Sequence, residues 1–405
     1  MAPEALYIHV PYCASKCLYC DFDSRSCRDA AALDRYAAQL SGCLRALGER
    51  GALAGCRTAY LGGGTPSLLG DRLPGIVRLV RACCPRLVEL TCEANPESMG
   101  DGLAGALAAA GATRVSLGVQ SLDDRELRAL GRLHSSSRAL DALDAVRGAG
   151  LDASIDLMCG IPHQTPDSWR ATLEAAVEAG AGHVSVYPLT IEEGTPFARR
   201  VAAGALPEPD EDLQAWCMEE ARRVLGAAGL TPYEVASYAL PGKECRHNIA
   251  YWTGVPYLGL GRSAASMLDA DAYRSLRGAL GLSAAGGRAS RLRFVQLGDG
   301  FPLPPAPAGD GPGYEVEELD AAEAAAEDLM LGMRMTRGVD ERLLARAADV
   351  LGAAPVEAAV RRALDRGLAA WREREGGGRR LAPTERGWLQ GNELFSIMWD
   401  LASGD

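Results

Sequence analysis

Six short apolar runs occur before residue 190, each followed by a longer segment with helical spacing, and this alternation constrains the fold more than any other feature. The runs are ALYIHV (5–10), TAYLG (58–62), LVELTCE (87–93), ATRVSLGV (112–119), LDASIDLM (151–158) and GHVSVYPL (182–189). Helix-like spacing fills 30–50, 73–84, 99–110, 138–149 and 168–179 between them. Gly51, Gly111, Gly150 and Gly180 follow four of these segments, where a residue without Cβ closes a helix at least cost. Continuously apolar strands alternating with helices predict a parallel sheet covered by helices. Six such units followed by a different rhythm predict an α/β fold, an incomplete (β/α)6 barrel; a doubly wound open sheet is the alternative. In either case chemistry gathers at the C-terminal ends of the strands.

Past residue 200 a helix is predicted over 209–228, then an extended TPYEVASYA and a polar PGKECRHNIAYW. The stretch 281–313 is rich in Gly, Ala, Pro and Arg and reads as loop or linker. The remainder is helical and charged, with a Gly/Arg turn at 376–380. These shifts set the expected boundaries: barrel core 1–200, extension 201–280, loop or linker 281–316, and a small, mainly helical C-terminal domain 317–405.

A formal charge of −11 argues against a nucleic-acid-coating protein, which needs a net basic face. No run approaches the roughly 18 apolar residues of a spanning helix, and the start, MAPEALYIHVPYC, lacks the features of a secretory or transit signal. The expected location is cytoplasmic. Twelve cysteines in a chain long enough to bury a core do not require a disulfide framework. Cys43, Cys83, Cys84 and Cys217 fall in helix-like segments, where a thiol acts as a small hydrophobe.

Cys13, Cys17 and Cys20 differ: they form a C-x-x-x-C-x-x-C triplet directly after the first strand. From one loop they can converge on an iron–sulfur cube, leaving one iron without a protein ligand. Spacing alone also admits zinc, completed by a fourth ligand such as Cys27 or His9. Gly62–Gly64, taken alone, reads as a turn or as a close approach of backbone to a ligand.

The run YIHVPYCASKCLYCDF resembles the radical S-adenosylmethionine (SAM) proteins of the coproporphyrinogen oxidase group, and in detail the HemW-type haem chaperones. The likeness continues through LGGGTPS (61–67), EANPE (93–97), RVSLGVQSLDDRELRALGRLH (114–134), DLMCGIPHQT (156–165), VSVYPLTIEEGTPF (184–197), YEVASYALPGKECRHNIAYW (233–252), PYLGLG (256–261), DLMLGMRMTRGVD (328–340) and APTERG (382–387). It implies a [4Fe–4S] cluster on Cys13, Cys17 and Cys20, which passes one electron to SAM to give methionine and a 5′-deoxyadenosyl radical. The same resemblance implies SAM-side roles for Tyr7, Gly63, Gly64, Thr65, Glu93, Gln120, Arg132 and Asp156. An external electron donor is implied as well.

Two branches share this framework. Oxidases that decarboxylate coproporphyrinogen III carry a further cysteine two residues after the third; here that position is Phe22. The chaperone branch carries H-N-x-x-Y-W, matched by His247, Asn248, Tyr251 and Trp252. Imidazole is a common axial ligand to haem iron, and the aromatic faces suit a porphyrin. The resemblance therefore implies haem as cargo and haem-accepting proteins, such as b-type cytochromes, as partners; coproporphyrinogen III oxidase is the alternative. One departure is Arg262-Ser263-Ala264-Ala265-Ser266, where the family usually has a histidine at the position of Ala265. Cys245, two residues before His247, reads as a buried or exposed thiol, with an axial thiolate as the alternative.

Overall fold

Each of the six apolar runs forms a strand in the computed structural model, which describes residues 2–302, 312–374 and 376–403. They are β1 (Ala5–Val10), β2 (Thr58–Gly63), β3 (Glu89–Ala94), β4 (Arg114–Gln120), β5 (Asp152–Cys159) and β6 (His183–Pro188). All pair in parallel, in sequence order. Strand Tyr257–Leu260 returns to lie parallel to β1 on its other side, and Ala265–Asp269, Arg291–Gln296 and Tyr314–Leu319 extend that edge antiparallel. Beyond β6 lie Ser237–Ala239 and Thr231–Pro232. Among the described residues the two outermost strands do not pair, so the barrel is incomplete.

The helices expected between the strands run Ala30–Glu49, Leu73–Cys83, Asp101–Ala110, Ser136–Gly148 and Pro166–Glu178. They cover the outer face, where Leu6, Ile8, Leu61, Leu117, Ile155 and Val186 are fully buried against Leu40, Leu44, Val77, Leu107 and Leu173. The alternate residues of the same strands point the other way. Tyr7, Tyr60, Glu93, Ser116, Ser154, Asp156 and Ser185 line the lumen. A packed barrel fills that space with layers of Val, Ile and Leu; this one keeps it polar.

One expectation needs correction, and one gains detail. The stretch read as loop or linker, 281–316, contains the strand Arg291–Gln296 and the start of Tyr314–Leu319, both in the main sheet. Its Gly/Pro/Arg composition hides a period of two: Leu292, Phe294 and Gln296 are buried while Arg291, Arg293 and Val295 are partly exposed. The part of that loop at 303–311 lies outside the described residues. The Gly/Arg turn near 376–380 joins two strands, Ala369–Glu373 and Arg379–Pro383, which with Val339–Asp340 make a small antiparallel sheet. Helices Ala321–Gly332, Glu341–Leu351, Ala353–Asp365 and Gly391–Trp399 pack with it around Leu329, Met333, Leu381, Leu394 and Met398. No described helix is long and apolar enough to cross a membrane.

Candidate functional site

β1 runs directly into a two-residue strand, Tyr12–Cys13, paired with Arg25–Ser26. That pairing pinches the base of the cysteine loop. Thr65 N–H donates to the Tyr12 carbonyl at 2.7 Å and Gly64 N–H to Val10 at 2.8 Å, which seats the loop on the end of β2. Cys13, Cys17 and Cys20 then line one cleft of about 690 Å³ at the C-terminal ends of the strands. Gly63, Gly64, Thr65, Glu93, Gln120, Arg132 and Asp156 line the same cleft.

All three thiols are free. The Thr65 hydroxyl lies 3.5 Å from Cys13 Sγ and Arg132 Nη1 lies 3.2 Å from Cys17 Sγ. Donors aimed at sulfur favour the thiolate that a metal requires. Burial pushes the Cys20 thiol up, which a bound metal reverses by deprotonating its ligand. The two alternative fourth ligands point elsewhere: the Cys27 thiol faces the Asp29 carbonyl at 3.7 Å, and both His9 ring nitrogens are engaged, with Tyr7 at 3.1 Å and the Asp23 carbonyl at 2.9 Å. Among the described residues no three His, Cys, Asp or Glu side chains close on a single-ion site.

The glycines have packing reasons of their own. Gly63 has φ of +107°, and a Cβ there would lie 2.6 Å from the His9 ring; a Cβ on Gly64 would lie 2.6 Å from the Tyr12 carbonyl oxygen. Gln120, at the end of β4, has φ of +69°, a strained conformation for a side-chain-bearing residue.

Glu93 accepts from the Tyr60 hydroxyl at 2.7 Å and Gly63 N–H at 3.1 Å. Burial, aided by the charge of Asp156, pushes its carboxyl up to about 7. Burial raises Asp156 to about 6 against the pull of the Ser185 and Ser116 hydroxyls. Arg132 donates Nη2 to Asn95 Oδ1 at 2.7 Å and to the Gly118 carbonyl at 2.5 Å, while its buried Nε has no hydrogen-bond partner among the described residues. Burial works against the Arg132 charge, but Cys17, Tyr19 and Glu97 outweigh it and hold the guanidinium ionised.

Below the cleft lies a second cavity of about 710 Å³, sharing Glu93, Ser116 and Asp156 with it. Tyr7 faces this lower lumen and does not line the cysteine cleft. Helix Arg246–Trp252 caps the N-terminal end of the barrel. Glu89, at the start of β3, accepts from the backbone N–H groups of Arg246 and His247, each at 2.9 Å. The H-N-x-x-Y-W residues are not gathered on one face. His247, Asn248 and Tyr251 look into the lumen, whereas Trp252 lines a separate groove against the C-terminal helices.

His247 is 1% exposed and stacks on Tyr60 at 5.2 Å. Its Nδ1 bonds the Thr58 hydroxyl and its Nε2 the Tyr251 hydroxyl. Burial lowers its pKa to about 3. In this arrangement both ring nitrogens are engaged by side-chain hydroxyls, and the ring faces the lumen cavity. Cys245 is equally enclosed, its thiol raised to about 12 chiefly by burial.

Sequence reasoning missed Asn95, Gly118, Tyr60 and Ser116. Asn95, Ser116 and Gly118 lay inside the segments that carry the resemblance, and Tyr60 follows from the inward phase of its strand.

Residues 7–176 match the radical SAM superfamily model. The chain is 36% identical over 344 residues to "Heme chaperone HemW" of Mycobacterium tuberculosis, covering 83% of both. It is 37% identical over 284 residues to the protein of the same name from Escherichia coli, covering 68% of this chain and 73% of that one. Its fold is similar to the solved structure of E. coli coproporphyrinogen III oxidase (HemN), with a TM-score of 0.73 over 98% of this chain and 90% of that one; at 19% identity this is a likeness of fold alone. Superfamily membership brings a [4Fe–4S] cluster and SAM as cofactors, and the thiols, Thr65 and Arg132 suit such a group. From the extent and identity of these matches, the chain belongs to the HemW-type family of radical SAM proteins.

Proposed function

We propose that this chain is a haem chaperone that holds one [4Fe–4S] cluster on Cys13, Cys17 and Cys20 and SAM beside it, and that passes haem to haem-dependent proteins such as b-type cytochromes. One observation carries the reading: three free thiols share a single cleft with Arg132, Glu93, Gln120, Asp156 and the Gly63–Thr65 turn. The curated relatives' names support haem as cargo. When bound and reduced, the cluster supplies one electron to SAM.

The chain's own groups do the positioning. Arg132 offsets the negative charge that thiolates bring to the cleft. Thr65 donates toward Cys13, and the Gly63–Gly64 backbone leaves room where a side chain would collide with His9 and Tyr12. Glu93, held by Tyr60 and Gly63, presents a carboxyl near neutrality that can accept from a ribose or ammonium group.

The oxidase alternative has the fold likeness in its favour. Against it stands Phe22, 61% exposed on the wall of the cleft where the oxidases carry a further cysteine. Anaerobic reconstitution followed by parallel assays separates the two. Haem binding without conversion of coproporphyrinogen III to protoporphyrinogen IX supports the chaperone; turnover above the no-enzyme background, with SAM and reductant present, overturns it.

A further inference from the structure

His247 is buried in the barrel floor and faces the lumen with Asn248 and Tyr251, whereas Trp252 lies on the outer side of the helix. Trp252 lies in a groove of about 330 Å³ between its own helix and the C-terminal unit, at the lower end of the size range of small-molecule sites. The groove is amphipathic. Trp252, one face of which is covered by Arg334 at 5.1 Å, and Leu343 supply apolar surface over the buried Met335 and Val339, and Arg337, Arg342, Arg346 and Arg380 supply charge.

The charge is in excess. Of the two acids in the groove, Asp328 is bonded by Arg291 at 2.7 Å, and Asp340 lies 3.8 Å from Arg380. Arg337, Arg342 and Arg346 have no salt bridge among the described residues. Burial and repulsion from Arg380 and Arg374 loosen the hold of Arg337 on its proton, against the pull of Asp340. Such a cationic cleft stands out in a chain of net charge −11.

We propose that this groove binds the haem, its macrocycle against the open face of Trp252 and Leu343 and its two propionates on the arginines at 337, 342, 346 and 380. A flat apolar ring bearing two carboxylates matches both halves of the lining: guanidinium groups bind carboxylates bidentately, and indole offers a flat apolar face. The proposal rests on haem being the cargo, and it moves the haem from His247 to the outer end of the same helix.

The test is a haem titration, followed at the Soret band, of the native chain, of Arg342→Glu/Arg346→Glu, and of the charge-matched control Arg78→Glu/Arg86→Glu, whose residues are exposed around the Leu73–Cys83 helix. Haem dimethyl ester, which lacks the carboxylates, is the second probe. We expect the groove variant to bind haem at least about tenfold more weakly, the loss of a charge-assisted pair. The ester should bind all three proteins alike. Circular dichroism and iron–sulfur absorption report that the fold and cluster are intact. Native haem binding with undiminished affinity in the groove variant overturns this site and leaves the cargo reading standing, including the case in which only delivery to an acceptor is lost. A native chain that binds no haem overturns the cargo reading itself.

Discussion

His247 Nδ1 lies 2.9 Å from the Thr58 hydroxyl, so the most suggestive histidine of the sequence fastens a helix to the foot of β2. With Nε2 on Tyr251 at 3.0 Å, the ring acts as a bridge inside the barrel floor.

His247→Ala should therefore cost stability before it costs haem. Removing a buried ring and leaving the Thr58 and Tyr251 hydroxyls without a partner should destabilise the chain by about 2–4 kcal/mol, read by denaturant unfolding. The pH dependence has a definite sign. The folded pKa of about 3 lies below the ordinary 6.5, so the contribution is complete above pH 6.5 and is lost as pH falls toward 3. Over that window the native chain should lose stability from this group, on the order of a kcal/mol per pH unit, and the variant should not.

Cys13→Ala, Cys17→Ala and Cys20→Ala should each abolish the iron–sulfur absorption after anaerobic reconstitution. Cys27→Ala should retain it, since that thiol faces Asp29 and not the cleft. Metal analysis should find iron and sulfide in place of stoichiometric zinc.

Glu93 gives the opposite pH signature in the apo chain. Its folded pKa of about 7 exceeds the usual 4.5, so its contribution is full below pH 4.5 and is lost as pH rises through 7. Glu93→Gln should remove that dependence and stabilise the apo chain at pH 8 by on the order of 1–2 kcal/mol, a shift of this size discounted for lumen water around the carboxyl. The same change should weaken SAM binding, measured by calorimetry on the reconstituted protein.

Asp23, in the cysteine loop, is held by Arg262 Nε at 2.7 Å and by the Ser263 hydroxyl. Both anchors occupy the segment where this sequence departs from its family. Arg262→Ala should leave the cluster assembled but speed its loss to an iron chelator by about two- to fivefold, as expected for a half-exposed ion pair.

The barrel was legible because its outward face is a run of Leu, Ile and Val whose period and Gly stops are local properties. The cysteine triplet was legible for the same reason. What escaped reading depends on long-range placement. Nothing local distinguishes an imidazole turned inward to Thr58 from one turned outward to a ligand, and Trp252 parts from His247 only because the helix wedges between barrel and C-terminal unit. The strand Arg291–Gln296 escaped because its alternation sits among glycines, alanines and arginines that signal loop.

The pairing of β1 with Tyr257–Leu260 has a consequence for how the protein is made. The cysteine loop leaves the ribosome some 240 residues ahead of the Arg262 and Ser263 clasp on Asp23 and of the strand that flanks the one carrying it. During synthesis the three thiols must wait, reduced and unclasped, until most of the polypeptide has emerged. A ribosome-bound chain stopped before Tyr257 should therefore hold its iron loosely, which makes cluster retention a natural clock for the last step of folding.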